Sequence, residues 1–179
     1  RKLGSSLQGH PHYKILPGVE TTSGPLGHGI SQAIGKALAL QNTDCKVVCV
    51  ISDGELQEGQ TWEALMFIGN SDLYNLTIII DRNNIQIDGF TEDIMPLNPL
   101  ADKWRSFNWH VQEVDGHNFH SINEAWTNAL SVFDKPSVII ANTIASKGVP
   151  EYERMFEWHG KPPTTPEEIG FAKKALGMK

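Results

Sequence analysis

Asp53 and Asn83 are the two side chains whose types and setting point most directly to chemistry. Asp53 lies in Ser52-Asp53-Gly54-Glu55, and Asn83 follows thirty positions later in Asp81-Arg82-Asn83-Asn84. Each motif closes a β-branched, apolar run, Val47-Val48-Cys49-Val50-Ile51 and Leu76-Thr77-Ile78-Ile79-Ile80. Both runs read as strands of a parallel sheet covered by helices on both faces. One helix-length segment separates them, so the unit is β-α-β. Both motifs then fall at the carboxyl ends of strands, where open parallel sheets bind ligands. A carboxylate and an amide oxygen are hard donors suited to Mg²⁺, and a metal-bound phosphate is the natural guest. Asp53, Glu55, Glu58 and Glu63 crowd the turn and would repel a bare phosphate; a divalent cation removes that conflict. Gly54 lets backbone approach a ligand closely. A helix opening at Glu55 would turn free N–H groups and its positive dipole end to the anion. Asp-Gly after a strand is by itself an ordinary turn, and it is the second motif that gives it chemical meaning.

The elements that must position these residues follow from periodicity. Residues 24–40 read as a helix with Ile30, Ala33, Ile34, Ala37 and Leu38 on its core face. From Glu55 to about Gly69, Trp62, Leu65, Met66 and Gly69 recur at helical spacing, which points to core or subunit interface. Residues 90–99, with Pro96 and Pro99, form a connector to a helix carrying Leu100, Trp104 and Phe107. A strand follows near Trp109 to Val114. Ser121-Ile122-Asn123-Glu124 has the form of a capping box, opening a helix striped by Ile122, Ala125, Trp126, Ala129, Leu130 and Phe133. The next strand runs from Ser137 to Thr143. A loop over 145–163 is long enough to be functional. The last helix has Thr165 as cap, Pro166 at its first position and Gly177 as stop. Alternating strands and helices make this an α/β fold, with a mainly parallel sheet flanked by helices.

With 179 residues, 40% hydrophobic and 20% charged, the chain has the supply for one substantial core, so residues 1–179 read as a single domain. A net charge of −6 gives no electrostatic footprint for nucleic acid or an anionic membrane. No apolar stretch reaches spanning length and no signal-peptide pattern opens the chain, so a cytoplasmic protein is expected. Cys45 and Cys49 read as reduced thiols. His117 and His120 are three apart, but no further Cys or His cluster accompanies them to make a metal site. His117 reads as structural, and His120 and His12 as solvent-facing.

Ser52-Asp53-Gly54-Glu55…Asn83 resembles the thiamine diphosphate fingerprint, Gly-Asp-Gly followed about thirty positions later by Asn. The wider strings resemble the transketolase family. They are Asp53-Gly54-Glu55-Leu56-Gln57-Glu58-Gly59…Trp62-Glu63-Ala64 with Ile87-Asp88-Gly89, and Pro17-Gly18-Val19-Glu20-Thr21-Thr22-Ser23-Gly24-Pro25-Leu26-Gly27. Gly9-His10-Pro11, Val114-Asp115-Gly116-His117, Ser146-Lys147-Gly148 and Trp158-His159-Gly160 add to the match. Two positions depart from the pattern: Ser52 stands where the family has Gly, and His28 where Gln is common.

This resemblance implies a diphosphate-domain fold that binds thiamine diphosphate. It implies a metal, Mg²⁺ with Ca²⁺ or Mn²⁺ as alternatives, held by Asp53, Asn83 and the main-chain carbonyl of Ile85. Gly54 and Glu55 would flank the diphosphate, and Gly24 and Leu26 would approach the aminopyrimidine. His10 would face the donor substrate, and His159 would lie near the cofactor diphosphate and the reacting centre as a cofactor-binding and catalytic residue. Glu58 and Glu63 would meet a second subunit. The Glu that activates the pyrimidine ring belongs, in the family, to a separate pyrimidine domain. The chain therefore reads as the N-terminal subunit of a split transketolase, lacking the family's first segment. It would act on sugar phosphates only with a pyrimidine-domain partner, self-associating into a heterotetramer. Another thiamine diphosphate enzyme, of the 2-oxoacid dehydrogenase or deoxyxylulose phosphate synthase type, and a non-catalytic paralogue are the alternatives.

Overall fold

The computed structural model describes residues 3–178; residues 1, 2 and 179, the ends of the span read as one domain, lie outside the described residues. Helix α1, His28–Leu40, starts later than its apolar stripe suggests, because Gly24 (φ 122°) and Gly27 (φ 76°) hold the preceding loop in left-handed backbone. Ile30, Ala33, Ile34 and Ala37 are buried. Leu38 is exposed, a correction that helical geometry explains: it stands roughly 80° round the helix from Ile30.

Strand β1, Val47–Ser52, leads through a 3₁₀ turn at Gly54–Gln57 to α2, Gly59–Ile68, and then β2, Leu76–Arg82. The single helix expected from Glu55 is therefore two pieces, broken at Glu58, whose backbone is extended (φ −80°, ψ 125°). The α-helical N-terminus lies at Gly59, beyond the Asp53 turn, so the expected dipole at Glu55 is not formed there.

A hairpin absent from the periodicity reading follows, β3 at Ile85–Gln86 and β4 at Gly89–Phe90. Then come α3 (Thr91–Ile94), α4 (Leu100–Ser106), β5 (His110–Asp115), α5 (Phe119–Leu130), β6 (Ser137–Asn142) and α6 (Pro166–Ala175). Helix α5 is capped by Asn118, not Ser121: the Asn118 carboxamide oxygen accepts from the N–H groups of His120 (3.0 Å) and Ser121 (3.2 Å). Asn118 is the last extended residue, so it meets the orphan N–H groups first. Helix α6 has the expected cap, with Thr165 and Glu168 forming a reciprocal capping box, and Gly177 stops it at φ 64°.

The sheet order is β1-β2-β6-β5, parallel throughout, as the α/β reading requires. Register pairs Ser52 with Asp81, Arg82 with Asn142, and Asn142 with Asp115, so four strand ends share one carboxyl edge.

Alternation along the strands sends Ile78, Ile80, Val138 and Ile140 to a core shared with α1, α2 and α4, closed by Trp104 and Trp109 edge to face at 5.0 Å. The opposite face carries Val48, Val50, Ile79 and Ile139, and α5 covers it over β5 and β6. Val50 is 69% exposed. The expectation of a first strand buried on both faces is thus corrected. A β-branched run looks alike at a covered centre and at an edge, and β1 is an edge strand. The α5 stripe is likewise only partly inside, with Ala125 and Ala129 buried and Phe133 exposed.

Candidate functional site

The Asp53 N–H donates to the Asp81 carbonyl (3.2 Å), which carries the β1–β2 ladder one step past the strand end. The carboxylate that follows is 0% exposed. Oδ1 accepts the Gly54 N–H (2.8 Å). Oδ2 accepts the Asn84 N–H (2.7 Å) and Arg82 Nη1 (2.9 Å). Burial pushes the Asp53 carboxyl above its ordinary range, while the Asn84 N–H, Arg82 and the Gly54 N–H oppose the shift. Asn84 reaches the carboxylate from left-handed backbone at φ 65°, which Asn tolerates well.

Asn83 is held in one orientation. Its Nδ2 donates to Asp81 Oδ2 (2.9 Å), and its Oδ1 accepts the Ile85 N–H (3.1 Å), leaving one lone pair free. Asp81 is fixed in turn by the Thr143 hydroxyl from beyond β6. Gly54 packs on the hairpin. A Cβ there would lie 3.2 Å from Gln86 Cβ and 4.0 Å from the Ile85 carbonyl oxygen.

Asp53, Gly54, Asn83 and Ile85 are thus gathered at one strand edge. Among the described residues no three His, Cys, Asp or Glu side chains cluster to hold a metal. The donors at the Asp53 turn are instead one carboxylate oxygen, one amide oxygen and one carbonyl. That hard, incomplete set fits a Mg²⁺ that shares its shell with phosphate oxygens.

Ser52 fits its position without strain. It is a strand residue outside the left-handed region, and its hydroxyl accepts the Glu55 N–H (3.2 Å) across the 3₁₀ turn.

A second group forms beside the first. Glu55 Oε1 accepts the Gly27 N–H (2.7 Å) and Gln60 Nε2 donates to the Leu26 carbonyl (2.8 Å), so the 3₁₀ turn and α2 tie down the loop that carries Gly24 and Leu26. A Cβ on Gly24 would lie 3.0 Å from His10 Cγ. His10, Gly24, Leu26 and Glu55 line a cavity of about 750 Å³ against β1.

His159 joins neither group. It follows the 3₁₀ turn Phe156–Trp158, its N–H donates to the Phe156 carbonyl (2.8 Å), and its ring is exposed. The loop it belongs to is nevertheless anchored near the hairpin, by Phe156 edge-on to Phe90 at 5.8 Å and Trp158 stacked on Tyr152 at 3.9 Å. His117 is structural, as expected: its Nε2 accepts the Ile144 N–H (2.7 Å), joining the loops after β5 and β6. His120 Nε2 lies 3.2 Å from Glu124 Oε1 and is exposed.

Arg82 was not singled out by sequence, although it is 5% exposed and central. It also donates to Thr91 Oγ1 (2.9 Å) and Glu92 Oε1 (2.5 Å). Burial raises the Glu92 carboxyl, but Arg82 and the N–H groups of Leu97 and Asn98 outweigh it and hold Glu92 below its ordinary range. The available signal was alternation: Arg82 falls on the face of Ile78 and Ile80, and an inward Arg requires anionic partners.

The family described as transketolase, thiamine diphosphate binding domain, matches residues 1–179. A 6-deoxy-6-sulfo-D-fructose transketolase subunit of Clostridium sp. (strain MSTE9) is 46% identical over 147 residues, 81% of this chain and 54% of that protein. An apulose-4-phosphate transketolase subunit of Actinobacillus succinogenes is 39% identical over 174 residues, 96% of this chain and 62% of that one. The crystal structure of a transketolase from Campylobacter jejuni aligns with a TM-score of 0.89 at 34% identity, covering 100% of this chain and 29% of its own. The chain spans between half and two thirds of the length of the two subunits. Motif, fold and similarity converge, and the chain belongs to the transketolase family, matching its thiamine diphosphate binding domain.

Proposed function

We propose that this chain is the diphosphate-binding subunit of a split, cytoplasmic transketolase. With a pyrimidine-domain partner it transfers a two-carbon ketol unit from a ketose phosphate to an aldose phosphate. The observation that carries the reading is the Asp53 turn, a fully buried carboxylate gathered with Asn83 and Ile85 at the edge of a parallel sheet. The two relatives named as subunits support the split arrangement. Bound thiamine diphosphate would supply the nucleophilic carbon chemistry, and the protein the binding, orientation and charge balance.

In this reading Asp53, Asn83 and the Ile85 carbonyl hold Mg²⁺, which offsets the diphosphate charge beside the acidic turn. Gly54 gives the diphosphate access to backbone. Glu55 keeps the Gly24–Gly27 loop in place through the Gly27 N–H, so that Gly24 and Leu26 meet the aminopyrimidine. His10, against Gly24, faces the sugar donor. His159 enters from the 145–163 loop to hold or move a proton at the reacting centre. Two copies of this chain and two of the partner complete the active unit.

The test is ketol transfer and light scattering on the purified chain, with and without a pyrimidine-domain subunit, in thiamine diphosphate and Mg²⁺. Activity is expected only in the mixture, at the mass of a heterotetramer. Full activity from this chain alone would overturn the split arrangement. Absence of any cofactor-dependent rise in melting temperature, alone or mixed, would overturn the catalytic reading.

A further inference from the structure

Arg82 occupies a place where a positive charge is unexpected, one residue from Asn83 and in contact with the carboxylate assigned above to the cation. From the geometry we infer that Arg82 is a positioning residue that restricts Asp53 to one-oxygen coordination and thereby biases the site toward Mg²⁺ over Ca²⁺. The inference rests on the metal role proposed for Asp53.

Each carboxylate oxygen has two acceptor positions. On Oδ2 both are taken, by the Asn84 N–H at 2.7 Å and Arg82 Nη1 at 2.9 Å. Among the described residues Oδ1 accepts only the Gly54 N–H at 2.8 Å, so one position stays open. A cation can therefore take Oδ1 but cannot share both oxygens without displacing Arg82 or Asn84. Ca²⁺ accepts six to eight oxygens in flexible geometry and commonly takes carboxylates two oxygens at a time, whereas Mg²⁺ demands a near-ideal octahedron. Closing Oδ2 removes the mode that favours the larger ion.

Arg82 is itself held too firmly to yield. Its Nη1 is shared with Thr91 Oγ1 (2.9 Å) and its Nη2 pairs with Glu92 Oε1 (2.5 Å). Glu92 is fixed by the N–H groups of Leu97 (3.0 Å) and Asn98 (3.4 Å), which anchors the guanidinium to the connector before α4. Charge is consistent with this role. Arg82 offsets one of the two carboxylates it touches, and the trio keeps one net negative charge for a cation to meet.

The experiment is calorimetric titration of the assembled, metal-free protein with Mg²⁺ and separately with Ca²⁺, in saturating thiamine diphosphate. Loss of an outer-shell partner typically changes metal affinity by about tenfold or more, and because Arg82→Met frees the two-oxygen mode, that change should fall unequally on the two ions and lower the ratio of Mg²⁺ to Ca²⁺ affinity several-fold. Arg82→Lys, which keeps one donor, should recover part of the ratio. An unmoved ratio in a folded Arg82→Met protein, whatever the change in absolute affinity, would overturn the inference. Should Arg82→Met not fold, Glu92→Gln loosens the anchor while leaving the guanidinium in place. It should shift the ratio in the same direction by a smaller factor, and an unchanged ratio there also overturns the inference. Wild-type protein that binds the cofactor with no cation dependence would instead remove the metal role of Asp53 itself.

Discussion

Asp53 answers to two demands, as the proposed cation ligand and as the counter-ion of a buried arginine. Asp53→Ala should therefore abolish cation-dependent thiamine diphosphate binding and also leave the Arg82 guanidinium short of a partner. Breaking a buried pair from one side costs about 3–5 kcal/mol, to be read by denaturant unfolding without cofactor. Asp53→Asn should bind as poorly at a smaller stability cost; cofactor affinity at the wild-type level in either variant would remove the proposed metal site. His159, exposed and outside both residue groups, makes the opposite forecast. His159→Ala should fold, assemble and bind cofactor normally yet lose turnover, so binding calorimetry and ketol-transfer rate should part company. A wild-type rate would take it out of the site. The placement of Asp53 and Asn83 just past two adjacent strand ends was legible because each follows an apolar, β-branched run. Arg82 was not, because the same letter on a loop would be a solvated charge, and its meaning depends on which face of β2 it occupies.

At the scale of elements, the joint between α2 and β5 leaves no room for a side chain at Gly69. A Cβ on Gly69 would lie 1.9 Å from the Phe107 carbonyl oxygen, while Asn108 Nδ2 donates to the Gly69 carbonyl (3.0 Å) and Trp109 Nε1 to the Leu65 carbonyl (3.3 Å). Backbone cannot retreat as a side-chain tip can. Gly69→Ala should cost at least about 3 kcal/mol, at the upper end of overpacking, and a melting temperature within a degree of wild type would contradict the packing described. The N-terminus of α6 carries a pH dependence. Glu168 accepts the N–H groups of Thr165 (3.0 Å) and Thr164 (2.8 Å), and these bonds pull its carboxyl from 4.5 to about 2. A lowered value means the contribution is complete above pH 4.5 and is lost as pH falls through about 2. An NMR titration of the Glu168 carboxyl carbon should show that low midpoint, and a midpoint near 4.5 would mean that the capping box is open in solution. This cap was readable from Thr165-Pro166-Glu167-Glu168, where the partners are local. The β3–β4 hairpin was not, because it packs against the Asp53 turn from about thirty positions away, and the break at Glu58 leaves no mark in the apolar periodicity.

For the whole molecule, the sequence reading assigns Trp62, Leu65, Met66 and Gly69 to core or subunit interface, and the structure divides the apolar side chains of α2 between inside and outside. Leu65 and Ile68 enter the core and Trp62 lies half-buried, its Nε1 donating to the Leu56 carbonyl (2.7 Å). Met66 and Phe67 stand 62% and 71% exposed. These two adjacent exposed apolar side chains near the C-terminal end of α2 are the residues through which the proposed assembly can be tested. Periodicity could name these apolar residues but not their direction, since a helix with large apolar side chains on more than one face carries no clear polar face. Met66→Glu with Phe67→Glu should leave the fold intact, because exposed substitutions away from packed contacts shift stability by only about 0.5 kcal/mol. The same pair should prevent association, because two carboxylates would have to be desolvated in the interface. Circular dichroism and thermal melting check the first expectation, and light scattering of the chain with its pyrimidine-domain partner checks the second. A variant that melts like wild type and still reaches the full assembled mass would remove this face from the interface, and would leave the exposed face of β1 around Val48 and Val50 as the next surface to probe.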